Sequence, residues 1–168
     1  MKKYVILLLI SCSTFTSTLQ AQDFQESTTY YFIRHAEKVL SKTDRDPKLQ
    51  PIGEERAHRW AKVFSNIKLD AIYSTNYKRT LATAQPTAES KGIAISNYHA
   101  KEINYKQFKK DTQGKSVLIV GHSNTIPTFV NALIGNDKYP DIAHNNNGNL
   151  YIVELVNGQI IDKVLYIQ

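Results

Sequence analysis

Two apolar runs in the 168-residue chain each end in a histidine. Tyr30-Tyr31-Phe32-Ile33 leads into Arg34-His35, and Val117-Leu118-Ile119-Val120 leads into Gly121-His122-Ser123. Near neutral pH a good fraction of histidine is unprotonated, so it can act as a nucleophile without a base beside it. Arginine suits a phosphoryl group, because its planar fork of donors never loses its charge. Phosphoryl transfer asks mainly for in-line positioning and neutralisation of the non-bridging oxygens. One histidine to attack, with Arg34, Arg79 and a second histidine to hold oxygens, meets that demand without a metal. Ser123 and the backbone N–H groups opening a helix near Thr125 can add donors.

Both runs read as strands. Four consecutive apolar residues suit a strand buried on both faces of an α/β sheet, and such sheets bind ligands beyond the carboxyl ends of their strands. Thr29 to Ile33 is the first strand, followed by a polar loop from Val39 to Gln50 with a turn signal at Asp46-Pro47. Pro51 opens a helix bearing Ala57, Trp60, Val63, Phe64 and Ile67 at helical spacing, and Gly53 lets a neighbouring loop approach. Asp70 to Tyr73 is a second strand, and Lys78 begins a second helix, weakened by Pro86 and closed by Gly92. Ile93 to Tyr98 is a third strand and Asn104 to Thr112 a short helix. After the strand from Ser116, a helix from Thr125 carries Ile126, Phe129, Val130, Leu133 and Ile134 as an apolar stripe. An Asn-rich loop from Asp141 to Gly148 follows. Leu150 to Leu155, a turn at Asn157-Gly158, and Ile160 to Ile167 form a terminal β-hairpin. The alternation gives an α/β domain, with no repeat and no linker.

The chain opens with Met1-Lys2-Lys3 and an apolar run from Tyr4 to Ile10, followed by small and hydroxyl residues and Leu19-Gln20-Ala21-Gln22. This is the pattern of a secretory signal peptide cleaved after Ala21, leaving 22–168 as one domain. A membrane span of about 20 apolar residues does not fit. Leu9-Ile10-Ser11-Cys12 also resembles a lipobox, the alternative being a lipoprotein anchored at Cys12. Cys12 is the only cysteine, so the mature chain has no disulfide, thiolate nucleophile or cysteine metal site. The formal charge is +6, and loss of Lys2 and Lys3 takes it to +4. That excess suits anionic small molecules, whereas no basic block or aromatic–basic signature points to nucleic acid. No Walker or Rossmann loop supports a nucleotide cofactor, and no H-E-x-x-H spacing supports a metal.

Arg34-His35-Ala36-Glu37-Lys38 after a strand resembles the R-H-G/A-E signature of the histidine phosphatase, or phosphoglycerate-mutase-like, superfamily. Leu49-Gln50-Pro51-Ile52-Gly53 resembles its L-T-x-x-G turn into the first helix. Ser74, Arg79-Thr80 and Thr83-Ala84 resemble its S-x-x-x-x-R-[AT]-x-x-T-A segment, and Val120-Gly121-His122-Ser123 its second V-G-H motif. The small size is similar to the SixA-like branch. The resemblance implies a three-layer fold with a mainly parallel central sheet flanked by helices, here with a C-terminal β-hairpin. It implies His35 as the nucleophile that becomes a phosphohistidine, and Arg34, Arg79 and His122 as the phosphate pocket.

Two features depart from the pattern. Gln50 stands where the family has threonine, which removes a hydroxyl cap. The family's general acid has no clear counterpart, the candidates being Glu102 and Glu37. The expectation is an exported, periplasmic or secreted, metal-independent phosphatase acting on a small phosphorylated substrate, a phosphomonoester or phosphoramidate. No cofactor, nucleic-acid partner or stable membrane span is expected, and oligomeric state is open. The alternatives are a weakly catalytic phospho-ligand binding module and a mutase-type phosphotransferase; the short chain disfavours the latter. His58 reads as solvent-exposed, His99 has no role, and His144 can rim the site.

Overall fold

The computed structural model describes residues 27–168. The expected signal peptide, its cleavage point and Cys12 lie outside those residues. The described chain runs β1 (Thr28–Arg34), α1 (Pro51–Val63), β2 (Ala71–Ser74), α2 (Lys78–Lys91), β3 (Ile95–Asn97), α3 (Tyr105–Asp111), β4 (Ser116–Gly121), α4 (Thr125–Ile134), β5 (Asn149–Val156) and β6 (Gln159–Tyr166).

The six strands form one sheet in the order β3-β2-β4-β1-β5-β6. β1 to β4 are mutually parallel where they pair, and the β5–β6 hairpin adds antiparallel strands beside β1. This is the three-layer, mainly parallel architecture read from the sequence. Successive strand side chains point to opposite faces. Tyr30, Phe32, Val117 and Ile119 accordingly join a core with Phe129, Val130 and Leu133 of α4. Ile33, Leu118 and Val120 join another with Trp60 of α1, Phe64 at its C-terminal cap, and Ala84 and Ala88 of α2. Burying each large apolar side chain contributes about 1.5–3 kcal/mol, an upper figure because denatured chains are partly collapsed.

Strand ends differ from expectation for local reasons. β1 extends to include Arg34, which pairs with Gly121 of β4. β3 starts late because the Ile93 N–H is spent on Ala88 O at the end of α2. α3 is shorter at its start because Asn104 caps it, its side chain accepting from Gln107 N. Pro86 lies within α2 and the helix runs through it. Asn157 and Gly158 both have positive φ, 59° and 73°, as a two-residue hairpin turn requires. Among the described residues no helix is long and apolar enough to cross a membrane.

Candidate active site

The parallel register of β1 and β4 assembles the centre of the site. Arg34 lies opposite Gly121, so His35 and His122 each stand one residue past a matched pair. The ladder continues one bond further, from His35 N–H to Gly121 O at 2.9 Å. The two imidazole rings lie 5.5 Å apart at 67°. On the other side of β4, Thr75 N–H reaches Val120 O at 3.3 Å and carries the end of β2 to the same level. Arg79 comes from the first turn of α2, which follows directly.

His35 is held almost wholly by backbone. Its Nδ1 lies 2.7 Å from Ala36 O. A carbonyl can only accept, so Nδ1 carries the proton and the lone pair resides on Nε2. Burial, with Arg34, His122 and Arg79 nearby, lowers its pKa to about 3, against the opposing pull of the Ala36 carbonyl. The ring is therefore neutral at pH 7, with a free basic nitrogen. Ala36 N–H donates to Thr83 Oγ1 at 2.9 Å, and the Thr83 hydroxyl donates to Arg79 O at 2.7 Å. Thr83 thus ties the loop that bears His35 to the turn that bears Arg79. Gly53 contributes by absence: a Cβ there would collide with the Glu37 backbone. That is the close approach its sequence position suggested.

Arg34 is buried and places Nη1 within 2.9, 3.1 and 2.9 Å of the carbonyls of Ala143, His144 and Asn146. Arg79 donates from Nη1 to Asp46 Oδ1 at 3.3 Å and lies over the Tyr77 ring at 4.4 Å. Its Nη2 approaches His122 Nδ1 at 3.4 Å. Guanidinium only donates, so Nδ1 of His122 accepts and its proton sits on Nε2, 3.0 Å from Thr75 Oγ1. Thr75 can accept there because its own hydroxyl donates to Thr80 Oγ1 at 3.1 Å. Burial first, then Arg79 and Arg34, lower the His122 pKa to about 4, with Asp46 pulling the other way.

Five buried side-chain polar atoms lack a hydrogen-bond partner among the described residues, and two are Nε of Arg34 and Nε of Arg79. A buried unpaired donor costs roughly 1–3 kcal/mol. The two arginines line the clefts on either side of the histidine pair, Arg79 the first and Arg34 the second, and their fixed positive charges suit an oxyanion.

Two clefts open at this level. One, of about 520 Å³, is lined by Thr75, Tyr77, Arg79, Glu102, His122 and Thr125 among others. The second, of about 510 Å³, is lined by Arg34, His35, Glu37, Gln50, His144 and Asn147 among others. Glu37 faces the second, but Arg56 Nε holds both its oxygens, at 2.8 and 3.1 Å. Glu102 is exposed and faces the first. Gln50 makes no side-chain cap to α1, its amide donating instead to Lys38 O. Thr125 uses its hydroxyl to accept from His122 N–H at 3.0 Å, and Ser123 lines neither cleft. His58 is exposed on α1, while His99 and His144 are exposed on the rims of the first and second clefts.

The structure also recruits residues that sequence reading passed over. Asp46 was read as half of a turn signal, yet its carboxylate accepts from Lys78 N–H at 3.0 Å as well as from Arg79. Thr75 had no motif to mark it. Asn147 donates from Nδ2 to His35 O at 2.8 Å, and only its place in an Asn-rich loop near the rim drew notice. Among the described residues no group of three His, Cys, Asp or Glu side chains is placed to hold a metal ion.

The model of the histidine phosphatase superfamily, branch 1, matches residues 30–110. Several solved structures share the fold. A protein described as phosphohistidine phosphatase SixA from Agrobacterium tumefaciens superposes with a TM-score of 0.62 at 20% identity, covering 83% of this chain and 99% of that one. Phosphoserine phosphatase from Entamoeba histolytica gives a TM-score of 0.63 at 19% identity, covering 84% and 98%. A mycobacterial glucosyl-3-phosphoglycerate phosphatase gives 0.61 at 12% identity, covering 83% and 98%. A search of curated protein sequences finds no match. The family match over the β1–α3 segment, the fold shared along the described chain and the four motifs in order make this chain similar to the histidine phosphatase superfamily.

Proposed function

We propose that the protein is an exported, metal-independent phosphatase that hydrolyses a small phosphomonoester or phosphoramidate through a phosphohistidine at His35. The observation that carries this reading is the pair of imidazoles 5.5 Å apart, both neutral, with Arg34 and Arg79 lining the clefts beside them. Phosphate oxygens accept from guanidinium N–H groups, and the two positive charges offset the charge of the transferring group. The Nε2 lone pair of His35 forms a bond to phosphorus as the bond from phosphorus to the leaving oxygen or nitrogen breaks. The electron pair leaves with that atom, which takes up a proton. Water then attacks phosphorus, the P–N bond breaks, its electrons return to Nε2, and inorganic phosphate is released. His122 contributes a donor to the oxygens once the bound phosphate raises its pKa and Nδ1 takes up a proton.

Protonation of the leaving group falls to Glu102 in this reading, because the Glu37 carboxylate is engaged by Arg56 and Glu102 lines the cleft beside Arg79 and His122. Export rests on the amino-terminal pattern alone. The binding-module alternative keeps its weight from the exposure of Glu102, since an acid free in solvent is a loose catalyst.

The test is phosphate release from p-nitrophenyl phosphate with EDTA present, for wild type and His35→Ala, with rapid quenching to trap an acid-labile phosphoprotein. Repeated turnover and a trapped phosphohistidine in wild type alone support the proposal. Equal turnover by both proteins sinks the nucleophile assignment. Release that stops at one equivalent per chain favours the binding module.

A further inference from the structure

We propose that the loop 141–148 is the positioning clasp of the site and that Asn147 is its positioning residue, acting through the backbone of His35. The loop lies beyond the matched family segment. The inference rests on the reading of His35 as nucleophile.

The β1–β5 register ends at Ile33 opposite Leu150. Past that point the His35 carbonyl has no strand partner on that side, and a buried carbonyl must find one. Asn147, only 8% exposed, supplies it: Nδ2 donates to His35 O at 2.8 Å. A side-chain amide thus takes the place of the ladder bond that β5 no longer provides. The same loop fixes Arg34, whose Nη1 faces the carbonyls of Ala143, His144 and Asn146. Three carbonyl dipoles hold one edge of the guanidinium, and Nε is left without a protein partner.

The loop is itself fastened. Ile142, buried in the α4-side core, donates its N–H to Ser123 O at 2.8 Å, beside His122. Asn146 donates from Nδ2 to Asn149 Oδ1 and accepts Gly148 N–H on its own Oδ1. Ile167 N–H donates to Gly148 O at 2.8 Å, which joins the clasp to the chain after β6. One segment therefore bridges the loops that follow β4 and β1, and it sets the spacing of nucleophile and arginine. A displacement of about 1 Å in such a site can cost about 10²-fold in rate.

Two variants and two readouts test this. Asn147→Ala removes the donor, and kcat for p-nitrophenyl phosphate should fall about tenfold or more while KM changes less than about threefold. Asn147→Asp preserves the shape but cannot donate when ionised. Its rate relative to wild type should rise as pH falls and the carboxyl regains a proton to give to His35 O. The second readout is independent of turnover: imidazole ¹⁵N shifts of ligand-free protein. Wild-type His35 should show the Nδ1–H tautomer, and Asn147→Ala should mix tautomers as the Ala36 carbonyl drifts. If both variants keep wild-type kcat and the His35 shifts stay unchanged, the clasp is overturned and the phosphatase reading stands. If wild type is inert towards substrate, the functional reading fails, and the shifts alone decide the clasp.

Discussion

The two histidines end matched strands, yet the protein holds them in opposite ways. His35 is fixed by main chain: Ala36 O takes its Nδ1–H and Gly121 O takes its own N–H. His122 is fixed mainly by side chains, with Arg79 on Nδ1, Thr75 on Nε2 and the edge of Tyr77 at 5.0 Å. Backbone contacts leave Nε2 of His35 with its lone pair, which is what the proposed nucleophile needs. Side-chain contacts leave His122 with partners that can move, which is what the proposed phosphate pocket needs. The arginines divide likewise, Arg34 in a cup of carbonyls and Arg79 between a carboxylate and an aromatic ring. One half of the site is built for aim and the other for accommodation.

The strongest way to break this comparison is to remove the aimed nitrogen. His35→Ala should lower kcat by at least about 10³-fold, whereas His122→Asn, which keeps an amide donor, should cost about 10²-fold, measured as initial rates of phosphate release. Equal losses would erase the distinction. Arg34→Lys should lower kcat/KM by about 10²-fold, because a single ammonium cannot satisfy the carbonyl cup and also present a planar fork of donors to the phosphoryl group. Glu102→Gln sharpens the leaving-group assignment. It should slow alkyl phosphates by about tenfold or more yet barely affect p-nitrophenyl phosphate, whose phenolate leaves unaided. Asp46→Asn should have a small effect, within about threefold on KM for phosphate esters, since it loosens Arg79 without removing it.

Stability should follow pH with a sign set by the same burial. Unfolded histidine keeps its proton up to an ordinary pKa of about 6.5, whereas folded His35 and His122 release theirs near 3 and 4. Between those values the unfolded chain binds more protons, so unfolding free energy should fall as pH drops from about 6.5 towards 4. Denaturant melts of wild type against His35→Asn should show a shallower slope in the variant. Bound inorganic phosphate should raise both titrations, because its negative charge favours imidazolium.

The strand–helix order and the cores on both sheet faces were legible because they rest on local signals, as was the delivery of His35 and His122 to one level of the sheet. Apolar runs name the buried strands, i, i+3, i+4 spacing names the helices, and Asn157-Gly158 names the hairpin turn. The ends of β1 and β3 were misjudged where one backbone bond decides: the Arg34–Gly121 pairing in one, and the N–H of Ile93 spent on α2 in the other. Sequence alone thus determined which residues could do chemistry and that parallel strands would deliver two of them together.

Only the tertiary structure decided which nitrogen of each ring is free, that Glu37 is held by Arg56, and that Asp46, Thr75 and Asn147 join the site. The reason is physical. A tautomer, a pKa and an unpaired donor are properties of what surrounds a group. In this chain those surroundings come from segments as far apart in sequence as His35 and Asn147.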